Sequence, residues 1–320
     1  MRYTEQQIIK MSMPISETEE TKCKNAIRMV SDAMKKLGYQ DDGEIIREFV
    51  AGTFSYTLNL RKAFSDRSIK LLVQGSYANK TNIPSESDVD VAVILESTFT
   101  AKYRQGVKRE DYGFTAGTFL VSELKDEVEK ALNIHFGYQG VERHDKSIKV
   151  IGNTYRVDAD VVPAYRHKDF TNDYYMNSNN YIGGIEIHPD SGGRIINYPE
   201  QHIKNGIAKN KETNYYFKKC VRIIKNLREH MQENGHEISE EISSFGLESL
   251  LWNVPSQVYV NHSGLSNLFY SVIKYLISDF NSFDSYREAN CIKFLFSDGN
   301  KKASYMSFLL SLKKFYEGTL

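Results

Sequence analysis

A chain of 320 residues is long enough to bury a substantial core, as one bilobal unit or two domains. Its 41 Lys and Arg balance 41 Asp and Glu to a formal net charge of zero, which argues against broad electrostatic binding of nucleic acid, although a local basic groove is compatible with a neutral average. Cys23, Cys220 and Cys291 lack any C-x-x-C spacing, no apolar run reaches the length of a membrane span and the N-terminus lacks a signal-peptide apolar core, so a disulfide framework, a zinc site and a membrane anchor are not expected and a reducing cytoplasm fits.

Residues 1–15 are weakly patterned and fit at most a short helix. Ser16-Glu17-Thr18-Glu19 is a capping box, followed by Cys23, Ile27, Val30, Met34 and Leu37 at helical spacing and Gly38 as the stop. A second helix is predicted from about Gly43 to Phe64, with Ile46, Phe49, Val50, Phe54 and Leu60 among its apolar positions. These side chains are core rather than a cofactor-binding box. Ile69 to Gln74 reads as a strand, and Gly75-Ser76 turns the chain into a short helical segment. Glycine lets a backbone approach closely, and the N–H groups of such a turn, with the Ser76 hydroxyl, suit the anionic oxygens of a triphosphate.

Asp88-Val89-Asp90-Val91-Ala92-Val93-Ile94-Leu95 begins with alternation and ends in a continuous aliphatic run, the pattern of a strand entering a buried sheet. Asp88 and Asp90 share a face roughly 6–7 Å apart at the backbone. Two carboxylates so placed repel one another and call for a cation. Phe99 to Tyr112 is charged and irregular, and is expected to be a loop. Thr115 to Ile134 has a helical period, and Gly140 to Val150 reads as strands. After a turn at Gly152-Asn153, Thr154 to Tyr165 supplies a second acidic strand, with Asp158 and Asp160 on one face and Pro163 ending the pairing. Asp160 is the favoured third metal ligand and the base that accepts the proton of an attacking hydroxyl, with Asp158 as its substitute. The fold class is therefore α+β, a mixed sheet with helices packed against it.

Residues 166–210 are rich in Asn, Tyr, Gly and Asp, with strands predicted at Tyr181–Ile187 and Arg194–Tyr198. His188 and His202 lie here, but phosphoryl transfer with two metals needs no histidine. Glu212 to Met231 is a helix with Phe217, Cys220, Val221, Ile224, Leu227 and Met231 on one side. Lys218 and Lys219 read as its solvated face, whereas Arg222 and Lys225, three apart, project together. Ser243-Ser244-Phe245 opens the next helix, and either serine serves as N-cap. From Gly264 to Leu320 the pattern is helix after helix, with Leu265, Leu268, Phe269, Val272, Leu276, Phe308, Leu309 and Leu312 as core.

Gly75-Ser76, then DVDV from Asp88, then DVVPA from Asp160, resembles the polymerase-β-like nucleotidyltransferase superfamily. The wording GSYANKTNIPSESDVDVAV is similar to the bacterial cGAS/DncV-like nucleotidyltransferases (CD-NTases). NKETNYYFKKCVRIIK from Asn210 and SSFGLESLL from Ser243 extend the likeness, which runs from about Ile69 to Pro255. The resemblance implies a polymerase-β-like nucleotidyltransferase fold with a helical spine, a catalytic lobe over residues 1–170, a mostly helical C-terminal lobe over 171–320 and an active site in the cleft between them. It implies metal ligation and catalysis by Asp88, Asp90 and Asp160, and two Mg2+ ions that Mn2+ can replace. Triphosphate contacts are implied for Gly75, Ser76, Arg222, Lys225 and Ser244, and base stacking for Phe245, where relatives often carry a tyrosine. The product would be a cyclic di- or trinucleotide second messenger for antiphage signalling, made from NTPs and read by a downstream effector, with ancillary regulatory proteins as further partners. Activation by nucleic acid is not expected, since there is no Cys/His cluster and the charge is neutral. The competing readings are transfer to a small molecule or an RNA 3′ end, and an inactive nucleotide-binding sensor.

Overall fold

The structure is a computed structural model that describes residues 2–42, 47–48, 54–85, 88–117, 121–260, 262–297 and 299–319. In chain order its elements are α1 (Glu5–Met11), α2 (Glu17–Lys35), β1 (Tyr39–Asp41), β2 (Arg47–Glu48), β3 (Tyr56–Lys62), β4 (Ser68–Gln74), the single turn α3 (Gly75–Ala78), β5 (Val89–Tyr103), α4 (Val121–Phe136), β6 (Val141–Arg143), β7 (Ile148–Val150), β8 (Ala159–Phe170), β9 (Ile182–Ile187) and β10 (Ile195–Asn197). Helices follow: α5 (Pro199–Glu212), α6 (Phe217–Glu233), α7 (Ser244–Trp252), α8 (Leu265–Ser278) and α9 (Gly299–Glu317). The chain divides into two compact units. Residues 16–78 and 87–200 form a sheet unit, and residues 1–15, 79–86 and 201–320 form a helical unit. No helix among the described residues is long and apolar enough to cross a membrane.

In the sheet unit the strand order is β1-β3-β4-β5-β8-β7-β6, with β9 on β8, β10 on β9 and β2 on β3. Only β5 and β8 run parallel among the described pairs, and they carry the site. A parallel pair needs a crossover, and α4 lies within it. Helices α2 and α4 pack on each other and on these strands. The capping box predicted at Ser16 is present, with the Ser16 side chain accepting from the Glu19 N–H and Glu19 reaching back to the Ser16 N–H. Along one face run Leu72, Ala92, Ile94, Val162 and Ala164, buried together with Ile185 and Ile187.

The predicted helix from Gly43 to Phe64 is not what forms. Ile46, Phe49 and Val50 lie outside the described residues, but β2 and β3 form within the same stretch, and β3 pairs with β4 from Thr57↔Leu72 to Arg61↔Ser68. Leu58 and Leu60 are buried two residues apart, a strand period that the wider helical spacing of apolar residues had masked, and the available sheet partner overrides local propensity. The expected loop from Phe99 is also strand as far as Tyr103, because β5 resumes its pairing with β8 after a bulge between Leu95 and Phe99. The strands predicted around residues 181–198 are present as β9 and β10. Helix α5, which the sequence reading did not separate from the polar stretch before it, starts with Pro199 at its first position, where the missing N–H costs nothing.

The helical unit is built around α6. Phe217, Cys220, Val221, Ile223, Ile224 and Leu227 pack with Leu247, Leu250, Leu251, Phe269, Val272, Leu309 and Phe315 in one core. Glu5 of α1 caps α8, its carboxylate accepting from the Leu265 N–H at 2.6 Å and the Ser266 N–H at 2.9 Å.

Candidate active site

The apolar face of the sheet ends in a polar row. Gln74 pairs with Asp90, Asp90 with Asp160, and Asp160 with Lys149, so four adjacent strands place these residues side by side. Neighbouring strands lie about 4.8 Å apart, which brings the Asp90 and Asp160 side chains together from parallel strands. Asp88 sits just before β5 and is exposed, while Asp90 and Asp160 are half-buried.

Gly75 is required beneath this pair. Its φ of +73° is in the left-handed region, and a Cβ there would lie 2.0 Å from Asp90 Oδ2. The carboxylate occupies the space a side chain would take, so the turn and the acid are built together. Ser76 follows, half-buried, in the single turn α3.

Asp158 is engaged elsewhere. Its carboxylate pairs with Lys149 Nζ at 2.6 Å and accepts from the Gly152 N–H at 2.6 Å. Burial pushes its pKa up, but these two donors outweigh that and hold it below the ordinary value. Lys149 is raised in turn, first by Asp158 and further by the fields of Asp88 and Asp160. Sequence reading passed over Lys149. Its signal was a lysine between Ile148 and Val150, on the polar side of a period-2 strand.

Among the described residues no three His, Cys, Asp or Glu side chains are already gathered closely enough to hold a metal by themselves. Asp88, Asp90 and Asp160 still fit Mg2+. They are hard oxygen donors, and Mg2+ is usually held by one or two carboxylates with waters and substrate phosphates completing the shell.

The helical unit holds the remaining candidates. Arg222 is buried and donates through Nε to Ser12 O at 2.6 Å and through its NH1 group to Lys80 O, so its hydrogen bonds secure backbone at two places. Burial lowers its pKa to about 10. Lys225 is fully buried. Ser243 is the N-cap of α7, accepting from the Gly246 N–H at 3.1 Å, while Ser244 Oγ accepts from Arg228 at 3.0 Å. Phe245 is 42% exposed and meets His202 edge-on, with ring centroids 5.2 Å apart.

His202 is bound into a buried cluster. Its Nε2 lies 3.0 Å from Glu248 Oε1 and 3.2 Å from Asn79 Nδ2, and the Thr81 hydroxyl donates to Glu248 Oε2 at 2.8 Å. Burial alone would raise the Glu248 pKa, but His202, Lys225 and Thr81 bring it below the ordinary value. His188 is likewise paired, with Glu186 at 2.9 Å. Glu248 was not singled out from the sequence, although a lone acid in the apolar stretch of α7 was its signal.

Two family models match the chain, a nucleotidyltransferase domain over residues 58–172 and a cGAS/DncV-like nucleotidyltransferase C-terminal helical domain over residues 204–317. A cyclic GMP-AMP synthase, CdnE03, of Staphylococcus schleiferi is 42% identical over 99% of this chain and 98% of its own length. A cyclic dipyrimidine nucleotide synthase, CdnE, of Legionella pneumophila is 37% identical over 96% of each. The solved structure of Rhodothermus marinus CdnE c-UMP-AMP synthase with Apcpp and Upnpp superposes with a TM-score of 0.80 at 26% identity, covering 99% of this chain and 97% of that one. Divalent metal use accompanies this nucleotidyltransferase chemistry. On its in-register aspartates and on these matches, the chain belongs to the cGAS/DncV-like nucleotidyltransferases and is an enzyme of nucleotidyl transfer of the cyclic-nucleotide-synthase kind.

Proposed function

We propose that this enzyme joins two NTPs into a cyclic dinucleotide by two successive transfers. The observation that carries the reading is the Asp90–Asp160 pair in register on parallel strands, with Gly75 shaped around Asp90. In each transfer a ribose hydroxyl oxygen bonds to an α-phosphorus, the α–β P–O bond breaks, and pyrophosphate leaves with the electron pair. Asp88, Asp90 and Asp160 would hold two Mg2+ ions, which Mn2+ could replace, and such ions would supply a lowered pKa for the attacking hydroxyl and an offset to charge on the leaving pyrophosphate. Asp160 accepts the proton of that hydroxyl. Lys149, bridged to Asp158, keeps the acidic row tolerable until substrate arrives.

Gly75 and Ser76 contact the triphosphate, Lys225 and Ser244 contact it as well, and Arg222 adds its charge while its donors hold Ser12 and Lys80 in place. Phe245, partly exposed, stacks on a base. The 42% identical relative supports a GMP-AMP product, whereas the Legionella relative is named for pyrimidines, so the bases are for the assay to name. In the cytoplasm the product serves as an antiphage messenger read by an effector protein, with ancillary regulators acting on the enzyme.

The test is incubation of the purified protein with four labelled NTPs and Mg2+ or Mn2+, phosphatase treatment and mass analysis, beside Asp90→Ala. A phosphatase-resistant cyclic dinucleotide absent from the control is expected. Linear or single-nucleotide conjugates would replace this reading with transfer to another acceptor.

A further inference from the structure

Lys218, assigned to solvent on its sequence pattern, is only 6% exposed. Charged side chains so deep are normally paired, because desolvating a charge is costly. Among the described residues the ammonium of Lys218 makes no hydrogen bond, its backbone N–H going to Asn210 Oδ1 at 3.1 Å, and no carboxylate comes within ion-pair range of it. The charged groups around it are Glu248, Lys80 and Arg222. Glu248 is already taken on one oxygen by His202 and on the other by Thr81.

Its position adds a second penalty. Lys218 is the second residue of α6, where the positive end of the helix dipole disfavours a cation, and the first turn contains no acid. Burial, with Glu248 opposing and Lys80 and Arg222 adding to it, brings the Lys218 pKa down to about 8. A largely buried, unpaired cation at a helix start asks for an anion that the fold does not supply.

We propose that Lys218 is a phosphate-binding residue of the helical unit, taking the polyphosphate chain of the substrate nucleotide or of the leaving pyrophosphate. This rests on the nucleotidyl-transfer reading. A bound polyphosphate favours the charged lysine, so binding is accompanied by proton uptake near pH 8 and weakens as pH rises through that value.

Calorimetric titration of the full chain with a non-hydrolysable ATP analogue and with pyrophosphate, at about pH 7.5 and about pH 9, tests it on the wild type, Lys218→Met and Lys218→Arg. Lys218→Met is expected to weaken the analogue about tenfold or more. Its melting temperature without nucleotide should hold or rise, because an uncompensated charge is gone. Lys218→Arg should recover most of the affinity and lose the pH dependence. A parallel loss for pyrophosphate assigns the residue to the leaving phosphates, and a loss for the analogue alone assigns it nearer the α-phosphate. Affinity of Lys218→Met within about twofold of wild type, or a joint loss of affinity and melting temperature that arginine does not rescue, would make Lys218 a structural lysine. Wild-type product formation separates the two failures. If it is absent the nucleotidyl-transfer reading falls, and if it is present with an unchanged KM in Lys218→Met only this assignment does.

Discussion

The two units concentrate charge of opposite sign under opposite conditions. In the sheet unit, Asp88, Asp90 and Asp160 line the end of an apolar face but stay partly in water, with Lys149 beside them. In the helical unit, Lys218, Arg222 and Lys225 lie inside, with Glu248 as the acid among them. Partly hydrated acids with an ammonium beside them cost the fold little, so the acids are free to be chosen for chemistry. Desolvated charges are coupled to the fold itself, so changing one alters stability as well as binding.

The largest expected effect is on the acid row. Asp90→Asn and Asp160→Asn should each reduce cyclic product by about 10³-fold, with melting temperatures within a few degrees of wild type. A large loss of stability in either would break the contrast. Gly75→Ala should cost about 10²-fold, since its Cβ would meet Asp90 Oδ2 at 2.0 Å and push a ligand out of place. A structure of that variant with Asp90 unmoved would remove the explanation.

Glu248→Ala is the counterpart in the helical unit and should lower stability by about 3 kcal/mol, by stranding His202 and Thr81. The folded carboxyl lies below its ordinary value of 4.5, so its stabilisation is complete above that pH and is lost as pH falls through the lower folded value. Urea midpoints of wild type and variant, separate at neutral pH, should therefore converge in acid. Smallest is Asp158→Asn. Its pair with Lys149 is part-exposed, worth about 1 kcal/mol or less, and product formation should stay within about threefold. A loss comparable to that of Asp160→Asn would exchange the roles of the two aspartates.

Much of this was legible in the sequence because strand alternation fixes which residues share a face. Asp90 and Asp160 were picked out that way, and the structure adds that they are in register. Register between distant strands leaves no trace in local periodicity, so Lys149 went unnoticed. The helix expected from Gly43 failed for a related reason, since Leu58 and Leu60 satisfy a strand once β4 is available as partner. Lys218 was misread because a lysine beside a lysine suggests solvent, and only the surrounding helices make α6 buried on nearly every side.

The parallel pairing of β5 with β8 also governs when the enzyme comes into being. Asp90 and Asp160 are seventy residues apart along the chain and meet only after the crossover through α4 has closed. Such non-local pairing is slow, and during synthesis it waits for the ribosome to release the second strand. A nascent or prematurely ended chain carrying the DVDV strand alone is therefore silent. Cyclic-nucleotide synthesis is withheld until translation has committed the whole sheet.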